Sequence, residues 1–567
     1  MRLTVVILSI LALNSACEKP ARPPAEQLEL RLLYSMHTPG VPKHREELLE
    51  ILSRASRAGY NGIVLNDFRV SILDHTDPSY LDGLREFSRS AADLGIEVIP
   101  SAGSFGWSEG MLYNDPNLVE ALPVRDQRLT VRDGVARPDT ANLVRNGGFE
   151  VAPGDEPAAW DQLDWMDATQ IDSDHALTGR RSLLLEDTPP NWRGLPNARV
   201  MQEIDVRPWT PYRASMWVKT QDFRGAYGIR LFAMVDGEIL EASDLGAKPT
   251  QPWTQYNVVI NPRNHDRIEL YAGVWGGSDG SVWIDDIRFE ETAFVNLVRR
   301  EGAELTVRAE DGTVYEEGRD YARLIDPLMG QHTAPGRFDR YHPPPLLRRT
   351  ANSRIQPGET LSVSYYHAVT AKHGQATVCL NHPAVYELFE KEVRALAEVY
   401  SPRALLLGHD EILAANWCGS CRRDGRSAGE LLAENVRRCV EISRKVMPEV
   451  KFFVWNDMFD PHHNAHDSFA LVNGDLGGSW KGLPDGVTIL NWNRTSTRPR
   501  SIEFFARNAS PQVITGYYDG RPPLILQQLT AGPGRESIVG AMYATFARDF
   551  SQIEQFARDA WGGGSAR

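Results

Sequence analysis

Short apolar segments alternate with amphipathic helical segments at both ends of this chain, and this alternation limits its fold more than any other feature. Three strand-like segments lie near the N-terminus and five lie in the C-terminal part. They are Leu30–Met36, Gly62–Asn66 and Ile96–Ser101, then Ala404–Gly408, Lys451–Trp455, Thr488–Trp492, Gln512–Tyr517 and Ile538–Tyr543. Strands separated by helices form a parallel sheet covered by helices. Eight such units predict an α/β fold, a (β/α)8 TIM barrel interrupted after its third strand.

A doubly wound open sheet is the alternative arrangement of these strands. Its nucleotide-binding forms carry a glycine-rich loop, GxGxxG or GxxxxGK[ST], directly after a strand. No such motif follows a predicted strand in this chain. The sequence therefore gives no support for a nucleotide, and we expect no cofactor.

The interrupting segment has the alternating sequence pattern of an all-β domain. It opens with NLVRNGGFE at 142–150, closes with WIDDIRFE at 283–290, and contains alternating strands such as Ala214–Lys219 and Arg267–Ala272. This pattern predicts a jelly-roll or β-sandwich. The segment that follows is also β-rich and predicts a small β-subdomain.

These patterns divide the chain into consecutive parts. They are a signal peptide at 1–16, a linker at 17–29, the first barrel part at 28–140, the β-sandwich at 141–292, the small β-subdomain at 293–370 and the second barrel part at 371–567.

The first residues are typical of an export signal. A short basic start precedes Leu3–Leu13, an apolar run of 11 residues. This run is too short to span a bilayer and suits a signal peptide. Small residues then precede Cys17, as in bacterial lipoprotein processing sites, so we expect a lipid anchor at Cys17 and a periplasmic or cell-surface protein. Ordinary secretion is the alternative.

Composition and charge limit the partners. The chain is 42% hydrophobic and 24% charged, which is globular composition. Its net charge of −14 opposes binding to nucleic acid or to an anionic membrane surface. We therefore expect no nucleic-acid partner, and membrane association only through the lipid anchor.

The other cysteines are Cys379, Cys418, Cys421 and Cys439. Cys418 and Cys421 form a CxxC motif, but no second CxxC accompanies it, and zinc knuckles usually need both. We expect a local disulfide between Cys418 and Cys421, or two thiols, and no metal.

Carboxylates and aromatic residues follow most of the predicted strands, where barrel enzymes place their active sites. The candidate catalytic and substrate-binding residues are Asp67, Trp107, His409, Asp410, Glu411, Trp455, Asp457, Trp492, Tyr517, Tyr518, Asp519 and Tyr543. Aromatic rings stack on the C–H faces of sugars, and carboxylates bind hydroxyls and transfer protons. The set therefore indicates a glycan or oligosaccharide substrate.

The adjacent pair Asp410-Glu411 is the sharpest feature of this set. It follows the apolar strand ALLLG. A carboxyl group at a buried strand end, beside a second acid, has a raised pKa and can donate a proton near neutral pH. Glycoside cleavage needs such a donor at the leaving oxygen. A polar strand end or helix cap is the alternative interpretation.

The segment LLLGHDE resembles the Gly-Asp-Glu motif of glycoside hydrolase family 20, the β-N-acetylhexosaminidases. Further similarities occur at Trp455 and Asp457, at Trp492, at Tyr517-Tyr518-Asp519 and at Gly540–Tyr543. The resemblance covers the barrel only. The two end motifs of the inserted segment resemble carbohydrate-binding modules of polysaccharide-degrading enzymes, and a spacer with a tryptophan-rich core is the alternative for that segment.

The resemblance implies a substrate-assisted retaining mechanism without a cofactor. Asp410 would orient the substrate acetamido group, Glu411 would act as acid and base, and Tyr517 would bind the acetamido oxygen. Trp455 and Trp492 would form the walls of the acetamido pocket, and Asp519 would bind a sugar hydroxyl.

The chain departs from the family pattern in three places. No Arg follows strand 1, the residues after strand 3 are Ser101–Trp107, and His409 stands where Gly is usual. The interpretation is an exo-β-N-acetylhexosaminidase. The alternatives are a barrel glycosidase in which Asp457 or Asp519 is the nucleophile or base, and a non-catalytic surface glycan-binding protein.

Overall fold

The computed structural model describes most of the chain. The described residues are 28–154, 156–164, 168–188, 197–225, 227–241, 244–371, 374–467, 469–517, 529 and 532–562. The expected signal segment and Cys17 lie outside them. Within these residues, no helix combines the length and the apolar character needed to cross a membrane.

The first described part alternates strands and helices, then ends in a hairpin. Its elements are β1 (Leu30–Ser35), α1 (Pro42–Arg57), β2 (Gly62–Leu65), α2 (Ser79–Asp93), β3 (Glu97–Ala102), α3 (Glu109–Asn114), β4 (Ala121–Arg132) and β5 (Val135–Arg137). Helix α1 begins at a proline and buries Leu48, Leu52 and Ala55, which lie on one face at helical spacing. That face covers the barrel.

The inserted segment forms two five-stranded antiparallel sheets. Its strands are β6 (Asp161–Asp164), β7 (Thr169–Asp172), β8 (Ser182–Thr188), β9 (Ala198–Asp205), β10 (Tyr212–Gly225), β11 (Ile229–Val235), β12 (Glu238–Glu241), β13 (Gln251–Ile260), β14 (Arg267–Val274) and β15 (Ser278–Glu291). The sheet orders are β13-β10-β15-β8-β7 and β12-β11-β14-β9-β6. Residues of both sheets share one apolar core, as in a β-sandwich.

The two end motifs of this segment have a structural role. Asp285, from WIDDIRFE, accepts the backbone N–H groups of Leu177 at 2.8 Å and Thr178 at 2.9 Å. Glu150, from NLVRNGGFE, accepts those of Arg180 at 2.8 Å and Arg181 at 3.1 Å. The two carboxylates hold the turn before β8 from both sides.

The segments that flank the sandwich in the sequence form a seven-stranded sheet. It adds β16 (Leu297–Val298), β17 (Thr306–Ala309), β18 (Val314–Tyr315), β19 (Leu347–Arg348) and β20 (Thr360–Ala368) to β4 and β5. Strand β4 pairs with β20 along its length. The hairpin β4–β5 therefore belongs to this sheet, although the sequence placed residues up to 140 in the first barrel part.

The last part of the chain returns to the barrel. Its elements are α4 (Pro383–Tyr400), β21 (Ala404–Leu407), β22 (Ala414–Ala415), α5 (Gly419–Arg422), α6 (Ala428–Val446), β23 (Lys451–Trp455), β24 (Leu471–Val472), β25 (Thr488–Asn491), α7 (Arg498–Arg507), β26 (Gln512–Tyr517), β27 (Ile538–Ala544) and α8 (Ile553–Trp561).

Eight parallel strands close into a barrel in the order β1-β2-β3-β21-β23-β25-β26-β27. The ring closes where Leu32 of β1 pairs with Met542 of β27. This confirms the predicted barrel with its insertion after the third strand, and it excludes the open sheet. Between β23 and β25 the described residues form two short 3-10 turns, at Asp457–Phe459 and Ser479–Gly482, in place of a helix.

Alternate residues of each strand point into the barrel or outward to the helices. The inward set includes Leu32, Tyr34, Val64, Ile99, Ala404, Leu406, Phe453, Trp455, Leu490, Val513, Met542 and Ala544. Leu405 and Leu407 belong instead to the core beneath the helices. This alternation decides which strand-end residues reach the mouth of the barrel.

Candidate active site at the mouth of the barrel

Asp410 continues the inward series of its strand. Ala404 and Leu406 face the barrel interior, and Asp410 keeps their parity. The side chain is half-buried. Burial, followed by the neighbouring charge of Glu411, raises the pKa of Asp410 to about 6.

The backbone of Asp410 leaves no room for a side chain on the facing loop. A Cβ built on Gly106 would lie 1.8 Å from the Asp410 carbonyl oxygen. The absence of a side chain at Gly106 therefore fixes how closely the loop after β3 approaches the acidic pair.

Glu411 has a left-handed backbone, with φ of 46°, which is strained for a residue with a side chain. Several contacts hold it there. Its N–H donates to Asp457 Oδ2 at 2.9 Å, and its carbonyl accepts the Gln375 amide at 3.0 Å. The same Gln375 amide donates to the Gly106 carbonyl at 2.9 Å, so one buried side chain clamps both loops.

The side chain of Glu411 is oriented by Trp107. The indole Nε1 donates to Glu411 Oε2 at 3.1 Å. Trp107 is 42% exposed, so the pair lies at the open rim. The strained turn thus directs the two adjacent carboxyl groups to different places, Asp410 towards the barrel interior and Glu411 to the indole N–H of Trp107.

Asp457 lies below the pair and is fully buried. Burial, followed by the charge of Asp410, raises the pKa of Asp457 to about 8. Its Oδ1 accepts the Trp492 indole N–H at 3.5 Å, and its Oδ2 also accepts the Asn464 amide at 3.4 Å. Together with the Glu411 N–H, these donors occupy both oxygens, so Asp457 holds the surrounding groups in place.

Aromatic rings form two walls around the acids. On one side the Tyr34 ring meets Trp455 edge-on at 5.4 Å and Phe546 at 5.5 Å. On the other side His463 meets Trp492 at 4.6 Å. Burial lowers the pKa of His463 to about 4, so its imidazole is neutral at physiological pH.

Three predicted site residues face away from the mouth. His409 has the outward parity, stacks on Phe105 at 4.4 Å and bonds to Asn435 Oδ1 at 2.8 Å through Nε2. Tyr543 donates its hydroxyl to the Asp549 carbonyl at 2.6 Å, beneath α8.

Asp67 is the third of these residues. It accepts the Tyr80 hydroxyl at 2.5 Å and the Arg69 N–H at 3.1 Å, and it caps the turn after β2. Each of the three residues is one position out of phase with the inward-facing residues of its strand. Their side chains therefore do not face a sugar bound at the mouth.

The structure brings Asp410, Glu411, Trp107, Trp455, Asp457 and Trp492 together at one barrel mouth. Tyr518 and Asp519, as well as the side chain of Tyr517, lie outside the described residues. Tyr517 itself ends β26.

Other residues of the mouth were missed by sequence reasoning. Tyr34 accepts the Asn66 amide at 3.3 Å, and both residues keep the inward parity of β1 and β2. Strand alternation could have identified them. Gln375 and Gly106 carry no local signal, because their role depends on contacts between distant segments.

The four described cysteines, Cys379, Cys418, Cys421 and Cys439, are free thiols. The expected Cys418–Cys421 disulfide is therefore not formed in this structure. Cys379, Cys418 and Cys421 converge instead with Glu120 at a buried point away from the mouth, and these four residues could hold a metal ion.

Comparisons with known proteins found likenesses to solved structures only. No protein-family model matches the chain, and no curated protein matches it. The most similar structures include a carbohydrate-binding module, TmCBM61, in complex with β-1,4-galactotriose. It is 16% identical with a TM-score of 0.19, and the match covers 27% of this chain and 100% of the module.

Two further solved structures match with similar sequence identity and TM-score. The module CBM4 is 13% identical with a TM-score of 0.20, covering 26% of this chain and 99% of that chain. A xylan-binding domain of Paenibacillus barcinonensis Xyn10C is 14% identical with a TM-score of 0.20, covering 27% and 96%. These values carry no argument about function, which has to come from the site itself.

Proposed function

We propose that this protein is a glycoside hydrolase that removes terminal β-linked N-acetylhexosamine from a glycan. One arrangement carries the proposal. Asp410 and Glu411 are adjacent at the end of the fourth barrel strand, diverge through a strained turn, and share the mouth with three tryptophans. The resemblance of LLLGHDE to family 20 motifs supports the same assignment.

In the first step the substrate supplies its own nucleophile. The acetamido carbonyl oxygen attacks the anomeric carbon as the glycosidic bond breaks, and Glu411 gives its proton to the leaving oxygen. The positive charge that develops on the resulting oxazolinium ring is balanced by ionised Asp410, which also orients the acetamido N–H. In the second step Glu411 takes a proton from water, which attacks the anomeric carbon and reopens the ring.

The neighbouring groups support these roles by position. Asp457 and Gln375 bind the backbone of Glu411 from two sides, which keeps its carboxyl at the rim. The Trp107 N–H bound to Glu411 Oε2 holds the carboxyl in one rotamer. Such pre-organisation lowers the barrier because the acid needs no reorientation during the reaction.

Asp457 is a poor candidate for a covalent nucleophile. It is fully buried, its two oxygens already accept three donors, and its pKa of about 8 keeps it protonated at neutral pH. The alternative mechanism would therefore depend on Asp519, which lies outside the described residues.

The test is hydrolysis of aryl β-N-acetylglucosaminide and β-N-acetylgalactosaminide. We expect turnover by the wild type, loss of turnover in Glu411→Gln and Asp410→Asn, and inhibition by a thiazoline that mimics the oxazoline intermediate. Glu109→Gln is the matched control, because this partly exposed acid pairs with Arg337 at 3.1 Å and should be dispensable.

Different outcomes separate the alternatives. Turnover that is insensitive to the thiazoline would favour a glycosidase with a carboxylate nucleophile. Glycan binding without hydrolysis across a panel of oligosaccharides would favour a non-catalytic binding protein. We further propose that Cys17 anchors the protein to a membrane by a lipid, in which case Cys17→Ser should move it to the soluble fraction.

A further inference from the structure

We propose that Glu120, Cys379, Cys418 and Cys421 form a structural zinc site. All four side chains are buried, and their ligand atoms lie within 4.8 Å of one another. Three thiols with one carboxylate are a donor set that suits Zn²⁺, because soft thiolates disfavour Mg²⁺ and Ca²⁺. This inference does not depend on the proposed glycosidase activity.

The distances match those between the ligands of one ion. Cys379 Sγ lies 3.5 Å from Cys418 Sγ and 3.4 Å from Cys421 Sγ. Glu120 Oε2 lies 3.7 Å from Cys418 Sγ and 3.2 Å from Cys421 Sγ. Tetrahedral zinc, with bonds of about 2.3 Å to sulfur and about 2.1 Å to oxygen, separates its ligand atoms by about 3.6 to 3.8 Å.

A single disulfide explains the cluster less well. Cys379 Sγ lies almost equally far from the other two sulfurs, so neither of its two contacts stands out as a bonded pair. Any one disulfide would also leave the third thiol and the Glu120 carboxylate facing it in a buried space. Four converging donors are accounted for together by one cation.

The carboxylate is already oriented for this role. Glu120 Oε1 accepts the N–H groups of Trp417 at 3.0 Å and Cys418 at 2.8 Å, which leaves Oε2 directed at the thiols. A buried carboxylate is costly unless a positive charge compensates it. The Arg300 guanidinium lies close by, donating to the Val119 carbonyl at 3.0 Å, and would offset part of the negative charge of a zinc–thiolate centre.

The donors come from the three segments that meet where the insertion joins the barrel. Glu120 directly precedes β4, where the chain leaves the barrel, and Cys379 lies where it returns, with its N–H donating to the Leu118 carbonyl at 2.7 Å. Cys418 and Cys421 belong to the loop that follows Glu411. A zinc ion here would cross-link the exit, the return and the active-site loop, and the burial of all four donors marks it as structural.

The first experiment measures metal in the purified full chain. We expect one zinc ion per chain after dialysis, retained by Cys439→Ser and lost by Cys379→Ser and Cys421→Ser. Cys439 is the matched control, because it is equally buried on α6 but its thiol contacts Asn435 Oδ1 at 3.9 Å, outside the cluster. Glu120→Gln should release zinc to a chelator that leaves the wild type loaded.

A second measurement needs no variant and so remains valid if the substitutions prevent folding. Wild-type chain in which zinc is replaced by Co²⁺ should show thiolate-to-cobalt charge transfer and the intense visible bands of tetrahedral cobalt. The unfolded chain should have the intact mass of free thiols. A chain that lacks zinc even after refolding with it, or an intact mass lower by two hydrogens per chain, would overturn the proposal in favour of thiols or a disulfide.

Discussion

At the scale of single residues, the ionisation of Asp410 should determine the pH below which the rate of hydrolysis falls. The mechanism needs Asp410 charged, and burial beside Glu411 raises its pKa from 3.8 to about 6. We therefore expect kcat/KM on an aryl N-acetylhexosaminide to fall about tenfold per pH unit below about pH 6. A profile that stays flat down to about pH 4, near the pKa of free aspartate, would contradict the role given to Asp410.

The closeness of Gly106 to the acidic pair gives a second prediction at this scale. In Gly106→Ala the new Cβ would lie 1.8 Å from the Asp410 carbonyl oxygen, so the strand end carrying Asp410 and Glu411 must shift. Because a displacement of about 1 Å can cost about 10²-fold in rate, we expect kcat to fall by about that factor.

Gly148→Ala is the control for this substitution, since the nearest atoms to its added Cβ lie 3.6 Å away. Circular dichroism and the melting temperature would show whether Gly106→Ala remains folded. A folded Gly106→Ala protein with wild-type kcat would show that the loop yields without moving the acids.

Strand alternation explains which site residues could be predicted. Sequence reasoning placed both His409 and Asp410 at the mouth, but neighbouring strand residues point to opposite sides, and only Asp410 shares the parity of Leu406. The same rule excludes Tyr543, which is flanked by the inward Met542 and Ala544. Clamps such as Gln375 could not be predicted, because they join loops that are distant in sequence.

At the scale of elements, Trp209 should couple the sandwich to the active-site loop. Its ring lies 4.0 Å from the Arg125 guanidinium and 6.3 Å from the Trp417 ring. The backbone N–H of Trp417 in turn donates to Glu120 Oε1. Loss of these contacts in Trp209→Ala should remove about 1–2 kcal/mol of docking free energy.

Limited proteolysis would measure this coupling. We expect faster cleavage in the exposed connection at 139–141 for Trp209→Ala than for the wild type. Trp253→Ala, a change in a half-buried tryptophan on β13, is the control and should leave that cleavage rate unchanged. Equal rates in all three proteins would mean that other contacts hold the sandwich in place.

The barrel and the sandwich were predictable as elements because their patterns are local. Helical and strand periodicities alternate along the barrel segments, and eight strands suffice to close it. The sequence assigns the hairpin β4–β5 to the barrel segment because its partner strand, β20, comes only after the whole sandwich in the sequence. The alternating pattern of β4 specifies a strand but not which sheet the strand joins.

At the scale of the whole molecule, several buried acids make stability depend on pH. Burial raises the pKa of Asp67 and Glu392 to about 7 and that of Asp457 to about 8. A carboxyl group whose pKa is higher in the folded state binds its proton more tightly there. These groups therefore stabilise the fold at low pH, and that contribution is lost as the pH rises from about 4 to about 8.

Buried histidines act in the opposite direction. Burial lowers the pKa of His37, His367, His409 and His463 to about 4. The unfolded chain binds these protons more readily, so stability is lost as the pH falls from about 6.5 to about 4. The two ranges of loss overlap between about pH 4 and about pH 6.5, and together they predict a maximum of the melting temperature near pH 6, where the two opposite slopes balance.

Asp457→Asn tests the acid side of this balance, because it removes the charge that the fold must bury above about pH 8. Near pH 5 Asp457 is still protonated in the folded wild type but already largely ionised in the unfolded chain, so the wild type has begun to lose the contribution of this group there. With rising pH the wild type alone bears the cost of ionising a buried carboxyl group, and its melting temperature should fall more steeply than that of the variant. Glu50→Gln, a change in an exposed acid on α1, should follow the wild type throughout. Parallel melting curves for Asp457→Asn and wild type from about pH 5 to about pH 9 would show that Asp457 ionises in the fold as it does in water.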